Sequence, residues 1–408
     1  MRRSAKNRWT HAVPCLSLVA LGALALGACG SNGSAPGSST TTAATTTEPP
    51  TTTTAPPTTT TGPSTTTTTQ APTTTTTTTS VPSGWTEARL LAQLIMVGGN
   101  FSDIGASTQA VQQGAGGVVF LGQPAAGSGR SITSGLAALE HAAKTTLFTA
   151  TDEEGGEIAR LSNVIGAIPW PRQMAMTMTQ QQVRVLMKSQ GSAMLALGID
   201  MDLAPVLDTA NANDTIDDEN ERSFSENGDT AASYGLAFIA GLRAGGVIAV
   251  GKHFPGLGHA NGDTDLGPAT DPPLSELAKD DLIPFQRTIN AGVQVIMMSN
   301  VTEPDWGHTP ASLNGHAYKY LRSMGFGGVI ITDSLDAGAI SKFGFSGPEA
   351  VVKAIEAGAD MAMVTTPGDF SAALADLEQA VSSGQLSMRQ VDSSVARILA
   401  LKKGVSLS

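Results

Sequence analysis

The residues best suited to chemistry are a few charged side chains that follow short apolar runs. Asp152 follows the third such run of the sequence. Lys252 and His253 follow the fifth run, and Asp333 follows the seventh. Carboxylates that share a site with Lys, His and Arg suit acid–base or glycosyl chemistry. Composition alone leaves the choice between these two open.

The elements that must position these side chains read as short strands separated by amphipathic helical segments. The helical segments between successive strands are long enough for parallel strands joined by right-handed crossovers. We therefore predict an α/β fold, a (β/α)8 TIM-type barrel, with an open doubly wound sheet as the alternative. In either fold, residues at the carboxyl ends of the strands gather at one site. The predicted strands are 94–97, 117–121, 147–150, 200–204, 247–251, 294–299, 329–332 and 360–364, and the clearest helices are 181–197, 349–357 and 391–402.

Charge is distributed unevenly along the 408 residues. From Gly84 onward the sequence holds 34 acids and 20 cations. This acidity disfavours nucleic acid and anionic lipid as partners of the folded part. The two cysteines, Cys15 and Cys29, both lie near the N-terminus, so a catalytic thiol is excluded from the remainder.

The N-terminus has the order of parts found in a secretory signal: a basic start, an apolar stretch and small residues before Cys29. It resembles a bacterial lipoprotein signal, which implies cleavage before Cys29 and acylation of its sulfur; an ordinary signal peptide is the alternative. Residues 31–83 contain 26 threonines and almost nothing apolar, so we expect a disordered tether. The predicted organisation is a signal peptide at 1–28, a Thr/Pro-rich linker at 29–83 and one catalytic domain at 84–408, without room for a second domain. We expect a protein lipid-anchored at the outer face of the cytoplasmic membrane, in the cell envelope.

The segment GKHFPGLG at 251–258 closely resembles the K-H-F-P-G-x-G signature of glycoside hydrolase family 3, in its single-domain β-N-acetylglucosaminidase branch. The other landmarks of that family follow in its order, and the resemblance covers essentially everything after Gly84. Several ordered motifs at predicted strand ends make chance agreement improbable. These other landmarks are TDEEGGEIARL at 151–161, DLAPVLD at 202–208, ERSF at 221–224, GVIITDSLD at 328–336 and VARILALK at 395–402.

The resemblance implies that Asp333 is the nucleophile that forms a covalent glycosyl-enzyme. It also implies that Asp152, Arg222, Lys252 and His253 surround the sugar in the first subsite. Three of these four residues have a structural alternative. Asp152 could pair with Arg160, Arg222 with Glu219 or Glu221, and His253 could be a hydrogen-bonded core histidine, whereas Asp336 is better explained as a helix cap.

The general acid/base is where the sequence departs from the family. The single-domain branch carries D-[ST]-H in a loop after the fifth strand, whereas residues 258–266 read GHANGDTDL. Asp263 occupies the orienting position and Asp265 stands where the histidine is expected. Three hypotheses follow: Asp265 serves as acid/base with a pKa raised by Asp263, His259 replaces the imidazole, or the loop is catalytically silent.

A metal site is the rival interpretation of the same loop. Asn261-x-Asp263-x-Asp265 superficially resembles a calcium loop, but Pro272 stands where the bidentate glutamate is needed. His253 with His259 suggests zinc, yet no H-E-x-x-H occurs. We therefore expect no metal and no cofactor.

These observations predict a retaining, exo-acting glycosidase that removes terminal β-linked N-acetylhexosamine, with peptidoglycan fragments as the expected source. The alternative is a catalytically impaired cell-surface sugar-binding protein on the same fold. A carbohydrate is the expected partner. We expect a monomer that contacts the membrane only through its lipid.

Overall fold

A computed structural model describes residues 81–210 and 219–406 of the chain. The signal peptide, Cys29 and nearly all of the linker predicted from the sequence lie outside these residues. No helix within the described ranges is both long and apolar enough to cross a membrane.

Eight parallel strands close into a barrel, which confirms the predicted (β/α)8 fold and excludes the open sheet. Their order around the barrel is β1-β10-β9-β8-β7-β6-β3-β2, and β4 and β5 form a separate antiparallel hairpin. The ten strands are β1 Ile95–Asn100, β2 Gly117–Leu121, β3 Phe148–Thr151, β4 Glu153–Gly155, β5 Ile158–Ala159, β6 Met201–Asp202, β7 Ile248–Phe254, β8 Val295–Met298, β9 Val329–Ser334 and β10 Met361–Val364.

Helices surround the barrel and bury its outer face. The α-helices are α1 Glu87–Ala92, α2 Thr108–Gln113, α3 Gly129–Ala142, α4 Ser162–Ile165, α5 Pro171–Thr177, α6 Gln180–Leu197, α7 Glu219–Arg222, α8 Gly228–Ala244, α9 Leu274–Leu277, α10 Leu282–Asn290, α11 Gly315–Ser323, α12 Gly338–Phe343, α13 Gly347–Ala357, α14 Phe370–Ser382 and α15 Met388–Ser406. Short 3-10 turns occupy Ile104–Ser107, Pro304–Trp306, Ala311–Leu313 and Pro367–Asp369.

Local sequence explains where the long helices begin and end. A capping box between Thr179 and Gln182 starts α6, and a second between Ser346 and Glu349 starts α13. Gly198 ends α6 with a φ of 98°, a left-handed conformation that most other residues rarely adopt. The predicted helices 181–197 and 349–357 are confirmed, and each begins one or two residues earlier than expected.

Two of the strands that extend beyond their predicted ends contain candidate site residues. β7 continues to Phe254, which pairs with Met298, so it contains Lys252 and His253. β9 continues to Ser334, so Asp333 lies inside the strand. The predicted ends at 251 and 332 were wrong, because polar residues were taken to end each strand. Lys252, His253 and Asp333 instead face the cavity at the carboxyl end of the barrel, so each strand continues through them.

Candidate active site

A cavity of about 450 Å³ opens at the carboxyl end of the barrel strands. Its floor is apolar and includes Val119, Leu203 and Met297. The cavity brings together seven of the eight candidate residues that lie in the described part of the chain. These are Asp152, Arg222, Lys252, His253, Asp263, Asp265 and Asp333.

Four charged side chains form a network on one wall of the cavity, here called the quartet: Asp152, Glu154, Arg222 and Lys252. The Lys252 Nζ lies 2.6 Å from the Glu154 Oε1 and 3.0 Å from the Asp152 Oδ1. Arg222 binds Glu154 in a bidentate manner, through its Nε at 2.8 Å and a terminal nitrogen at 2.9 Å. Arg222 therefore pairs with Glu154, which the sequence analysis did not anticipate.

Burial and pairing fix the charges of the quartet. The Glu154 side chain is 1% exposed and that of Lys252 is 4% exposed. Although burial opposes ionisation of both groups, Arg222 and Lys252 hold the pKa of Glu154 well below its usual range. Glu154 and Asp152 in turn raise the pKa of Lys252. Both groups stay ionised across the physiological pH range.

The β4–β5 hairpin positions the two carboxylates of the quartet. Asp152 lies between β3 and β4, and its carbonyl accepts a hydrogen bond from the Arg160 amide at 3.0 Å. The hairpin turns at Gly156, where φ is 58° and a Cβ would lie 2.0 Å from the Trp170 ring. Glycine is needed there because no side chain fits against the indole. The Arg160 Nε is 3.8 Å from the Asp152 Oδ2, so the Asp152–Arg160 pair foreseen as an alternative also forms.

His253 is held by a buried carboxylate behind the cavity. Its Nδ1 lies 2.6 Å from the Asp208 Oδ2. The Asp208 Oδ1 accepts hydrogen bonds from the amides of His253 at 3.0 Å and Leu257 at 2.9 Å. Burial lowers the pKa of His253, but Asp208 and, more weakly, Asp333 outweigh it and raise the pKa overall. With Nδ1 engaged, Nε2 is the ring nitrogen left for the cavity.

Asp333 lines the same cavity, near the end of β9. Its Oδ1 accepts a hydrogen bond from the Ser334 amide at 2.7 Å, which orients the carboxylate. Its negative charge raises the pKa of both His253 and Asp265. Asp333 therefore shares the cavity with the His253 imidazole and with the Asp265 carboxyl group. Asp333 and Asp265 together supply the two carboxyl groups that glycoside hydrolysis needs.

The segment 258–270 between β7 and α9, here called the lid, covers one side of the cavity. The Asp265 amide donates to the Asp263 Oδ1 at 2.8 Å. Partial burial raises the pKa of Asp265, and the charges of Asp333 and Asp263 raise it further. A raised pKa favours the protonated carboxyl group, which is the form that a general acid needs.

His259 is the one candidate in the described residues that does not line the cavity. Its Nδ1 is 2.9 Å from the Asp281 Oδ1, which also accepts a hydrogen bond from Thr209 at 2.7 Å. This contact holds the start of the lid against α10 and the preceding turn. Within 81–210 and 219–406, no three His, Cys, Asp or Glu side chains form a group that could hold a metal ion.

The profile of the Glycosyl hydrolase family 3 N terminal domain matches residues 88–401, which is most of the chain. This chain belongs to glycosyl hydrolase family 3. The family 3 hydrolase is therefore a glycosidase. Its sequence is 39% identical over 265 residues to the β-hexosaminidase LpqI of Mycobacterium tuberculosis, covering 63% of this chain and 68% of that protein.

Solved structures resemble this family 3 hydrolase over most of the chain. A glycosyl hydrolase of the same family from Mycobacterium smegmatis is 34% identical with a TM-score of 0.72, covering 78% of this chain and 97% of that one. A family 3 β-N-acetylglucosaminidase from Paenibacillus is 29% identical with a TM-score of 0.73, covering 79% of this chain and 63% of that one.

Sequence reasoning on this family 3 hydrolase missed Glu154 and Asp208 as site residues. Both lie in motifs that signalled the family, at 151–161 and 202–208, and both have their partners far along the chain. It also assigned Asp336 wrongly as a helix cap, because α12 has Ala337 at its cap position and no side-chain cap. The Asp336 carboxylate instead accepts hydrogen bonds from the Thr365 hydroxyl at 2.8 Å and the Thr366 amide at 3.2 Å, which ties β9 to the loop after β10.

Proposed function

We propose that this chain is a retaining, exo-acting β-N-acetylhexosaminidase that uses Asp333 as nucleophile and Asp265 as acid/base. The observation that supports the proposal is that both carboxyl groups line the same cavity as the quartet. The names of its relatives support the sugar: one is a β-hexosaminidase and another a β-N-acetylglucosaminidase. Fragments of peptidoglycan are the source of terminal amino sugars that we propose.

The quartet supplies the groups that recognise hydroxyls. Asp152 accepts hydrogen bonds from two sugar hydroxyls, while Lys252 and Arg222 donate charge-assisted bonds to others. A cavity of about 450 Å³ is in the size range of small-ligand pockets. One bound sugar ring fits this volume, which favours removal of a terminal residue over cleavage within a chain.

Hydrolysis proceeds in two steps that pass protons through Asp265. In the first, the Asp333 carboxylate attacks the anomeric carbon, the bond to the leaving oxygen breaks, and Asp265 gives its proton to that oxygen. In the second, the Asp265 carboxylate takes a proton from water, and that water attacks the anomeric carbon. The bond to Asp333 then breaks, the sugar leaves with its original configuration, and Asp265 is protonated again.

Asp265 suits this role better than His259 for a geometric reason. Asp265 lines the cavity and its pKa is raised by the same Asp333 whose attack it assists. Once Asp333 is glycosylated its charge is lost, so the pKa of Asp265 falls and the group becomes a base for the second step. The Nδ1 of His259 binds Asp281 instead, away from the cavity lining.

The test is hydrolysis of an aryl N-acetyl-β-glucosaminide by the full chain and three variants. We expect Asp333→Ala to abolish turnover and Asp265→Asn to lower it about 10²–10⁴-fold for poor leaving groups, with His259→Ala close to wild type. Turnover that depends on His259 and not on Asp265 moves the acid/base role to His259. A wild-type protein that binds N-acetylglucosamine yet turns over no faster than Asp333→Ala is a sugar-binding protein, and the proposal is then wrong.

We also propose export and lipid anchoring through Cys29, on the sequence pattern before that residue. Substituting Cys29→Ala is expected to release the protein from the membrane fraction of a bacterial host into the medium. A Cys29→Ala protein that stays in the membrane fraction contradicts the anchor.

A further inference from the structure

We propose that Gly338 and Lys342 of α12 are positioning residues that fix Asp265 over the nucleophile by holding the backbone of the lid. This inference rests on the proposed function, because it concerns the placement of the proposed acid/base. β9, which carries Asp333, ends at Ser334, and α12 opens at Gly338. The helix that holds the lid is therefore the next element along the chain after the strand of the nucleophile.

Three consecutive carbonyls of the lid are bound by α12. The Gly338 amide donates to the Asp265 carbonyl at 2.9 Å, and the Ala339 amide donates to the Thr264 carbonyl at 2.9 Å. The Lys342 Nζ donates to the Leu266 carbonyl at 2.5 Å. The first amides of a helix have no acceptor within it, so the lid satisfies donors that α12 would otherwise leave to water.

These contacts place the two proposed catalytic carboxyl groups on one frame. Asp333 is the penultimate residue of β9, and only a short turn separates that strand from α12. Both backbone polar groups of Asp265 are engaged, since its amide binds Asp263 and its carbonyl binds Gly338. The carboxyl group is then the part of Asp265 left to reach the cavity.

Only glycine fits at the first position of α12 while the lid is bound. A Cβ on Gly338 would lie 2.5 Å from the Leu266 carbonyl carbon and 2.6 Å from the Asp265 carbonyl oxygen. Real Cβ atoms do not approach backbone so closely, so the lid must shift. Alanine suits a helix better than glycine, so the expected damage falls on the lid and not on α12.

A displaced acid/base has a kinetic signature that simple misfolding lacks. Protonation matters most for a poor leaving group such as a sugar and little for dinitrophenolate, which departs as an anion. The value of kcat/KM reports the first step alone. For Gly338→Ala we expect kcat/KM to fall about 10²-fold on N,N′-diacetylchitobiose and to stay within about 3-fold on the dinitrophenyl glycoside.

The second step gives an independent readout. Hydrolysis of the glycosyl-enzyme needs Asp265 as base, whereas azide attacks without one. Azide should therefore raise kcat of Gly338→Ala on the dinitrophenyl substrate and yield the β-glycosyl azide, and it should leave wild-type kcat nearly unchanged.

The matched control is Gly315→Ala, which makes the same change at the first position of another helix, α11. There the nearest atom to a new Cβ is the Ala357 carbonyl oxygen at 3.6 Å, an ordinary contact. We expect wild-type kinetics for Gly315→Ala on both substrates.

Lys342 provides a second test that leaves the start of α12 intact. Lys342→Met should show the same substrate dependence as Gly338→Ala with a smaller factor, about 10-fold, and Lys342→Arg should restore most of the loss. This pair decides the question if Gly338→Ala fails to fold.

The outcomes separate the inference from the proposed function. Equal losses on both substrates, or no loss on either, overturn the positioning role while wild-type turnover still supports the enzyme. A wild-type protein inactive on both substrates refutes the proposed function, and the positioning role with it.

Discussion

Replacing Glu154 with glutamine tests whether the quartet holds the sugar-binding wall together. Glu154 is bound by two cations at once, with the Lys252 Nζ 2.6 Å away and Arg222 bidentate at 2.8 and 2.9 Å. Glutamine keeps the shape and removes the charge. Arg222 and Lys252 then lie beside a neutral amide, and of the two ion pairs of Lys252 in the described residues the one with Asp152 remains.

The size of the effect follows from burial. Breaking a buried ion pair by removing one partner costs about 3–5 kcal/mol in the free energy of unfolding. Asp152 still lies 3.0 Å from Lys252, so we expect the lower end, about 3 kcal/mol. For a domain of this size, about 2 °C of melting temperature is lost per kcal/mol, which gives a fall of about 6 °C.

Thermal unfolding followed by circular dichroism measures this fall, and calorimetric titration with N-acetylglucosamine measures the loss of sugar affinity. Glu157→Gln is the matched control, because Glu157 is an exposed residue of the same hairpin. A melting temperature for Glu154→Gln within about 1 °C of that control would refute the reasoning, since it would mean that the charge of Glu154 is not needed by its two partners.

Two further predictions concern stability. Burial raises the pKa of Glu153 to about 7, so this carboxyl group binds more protons in the folded than in the unfolded state. Its contribution to the free energy of unfolding is complete below about pH 4 and is lost as the pH rises to about 7. Glu153→Gln should therefore flatten the decline in unfolding free energy over that range in urea titrations, and an unchanged slope would contradict the assignment. Phe254 is fully buried, with its ring 5.3 Å from that of Phe285. Phe254→Ala should therefore lower the free energy of unfolding, measured by denaturant titration, by about 3–5 kcal/mol. A loss below about 1 kcal/mol would contradict this, since it would mean that neighbouring side chains fill the space left by the ring.

The barrel was predictable because its signal is local and repeated. Apolar runs such as β2 and β10 stand between helical segments, and the repeated strand–helix pattern leaves few topologies. Placement of Asp152, Lys252 and Asp333 around one cavity followed from the same logic, because the carboxyl ends of parallel barrel strands meet on one face. Their roles in catalysis stay predictions.

The partners of these residues were not predictable, because they depend on contacts far apart in the chain. Arg222 and Glu154 are separated by 68 positions, and His253 and Asp208 by 45. Nearby glutamates offered Arg222 a simpler partner in the sequence, whereas the fold brings Glu154 within ion-pair distance of both cations. The attachment of the lid to α12 was equally hidden, because two of its three described hydrogen bonds use backbone amides, which any residue type supplies, and the third joins Lys342 to a carbonyl 76 positions away.

The quartet has a consequence for the choice of ligand. Its two carboxylates and two cations cancel, although the sequence from Gly84 onward has an excess of acids. These four side chains thus offer directional donors and acceptors with no net formal charge among them. Such a surface suits an uncharged ring better than a uronic acid, and dissolved salt has little to screen there.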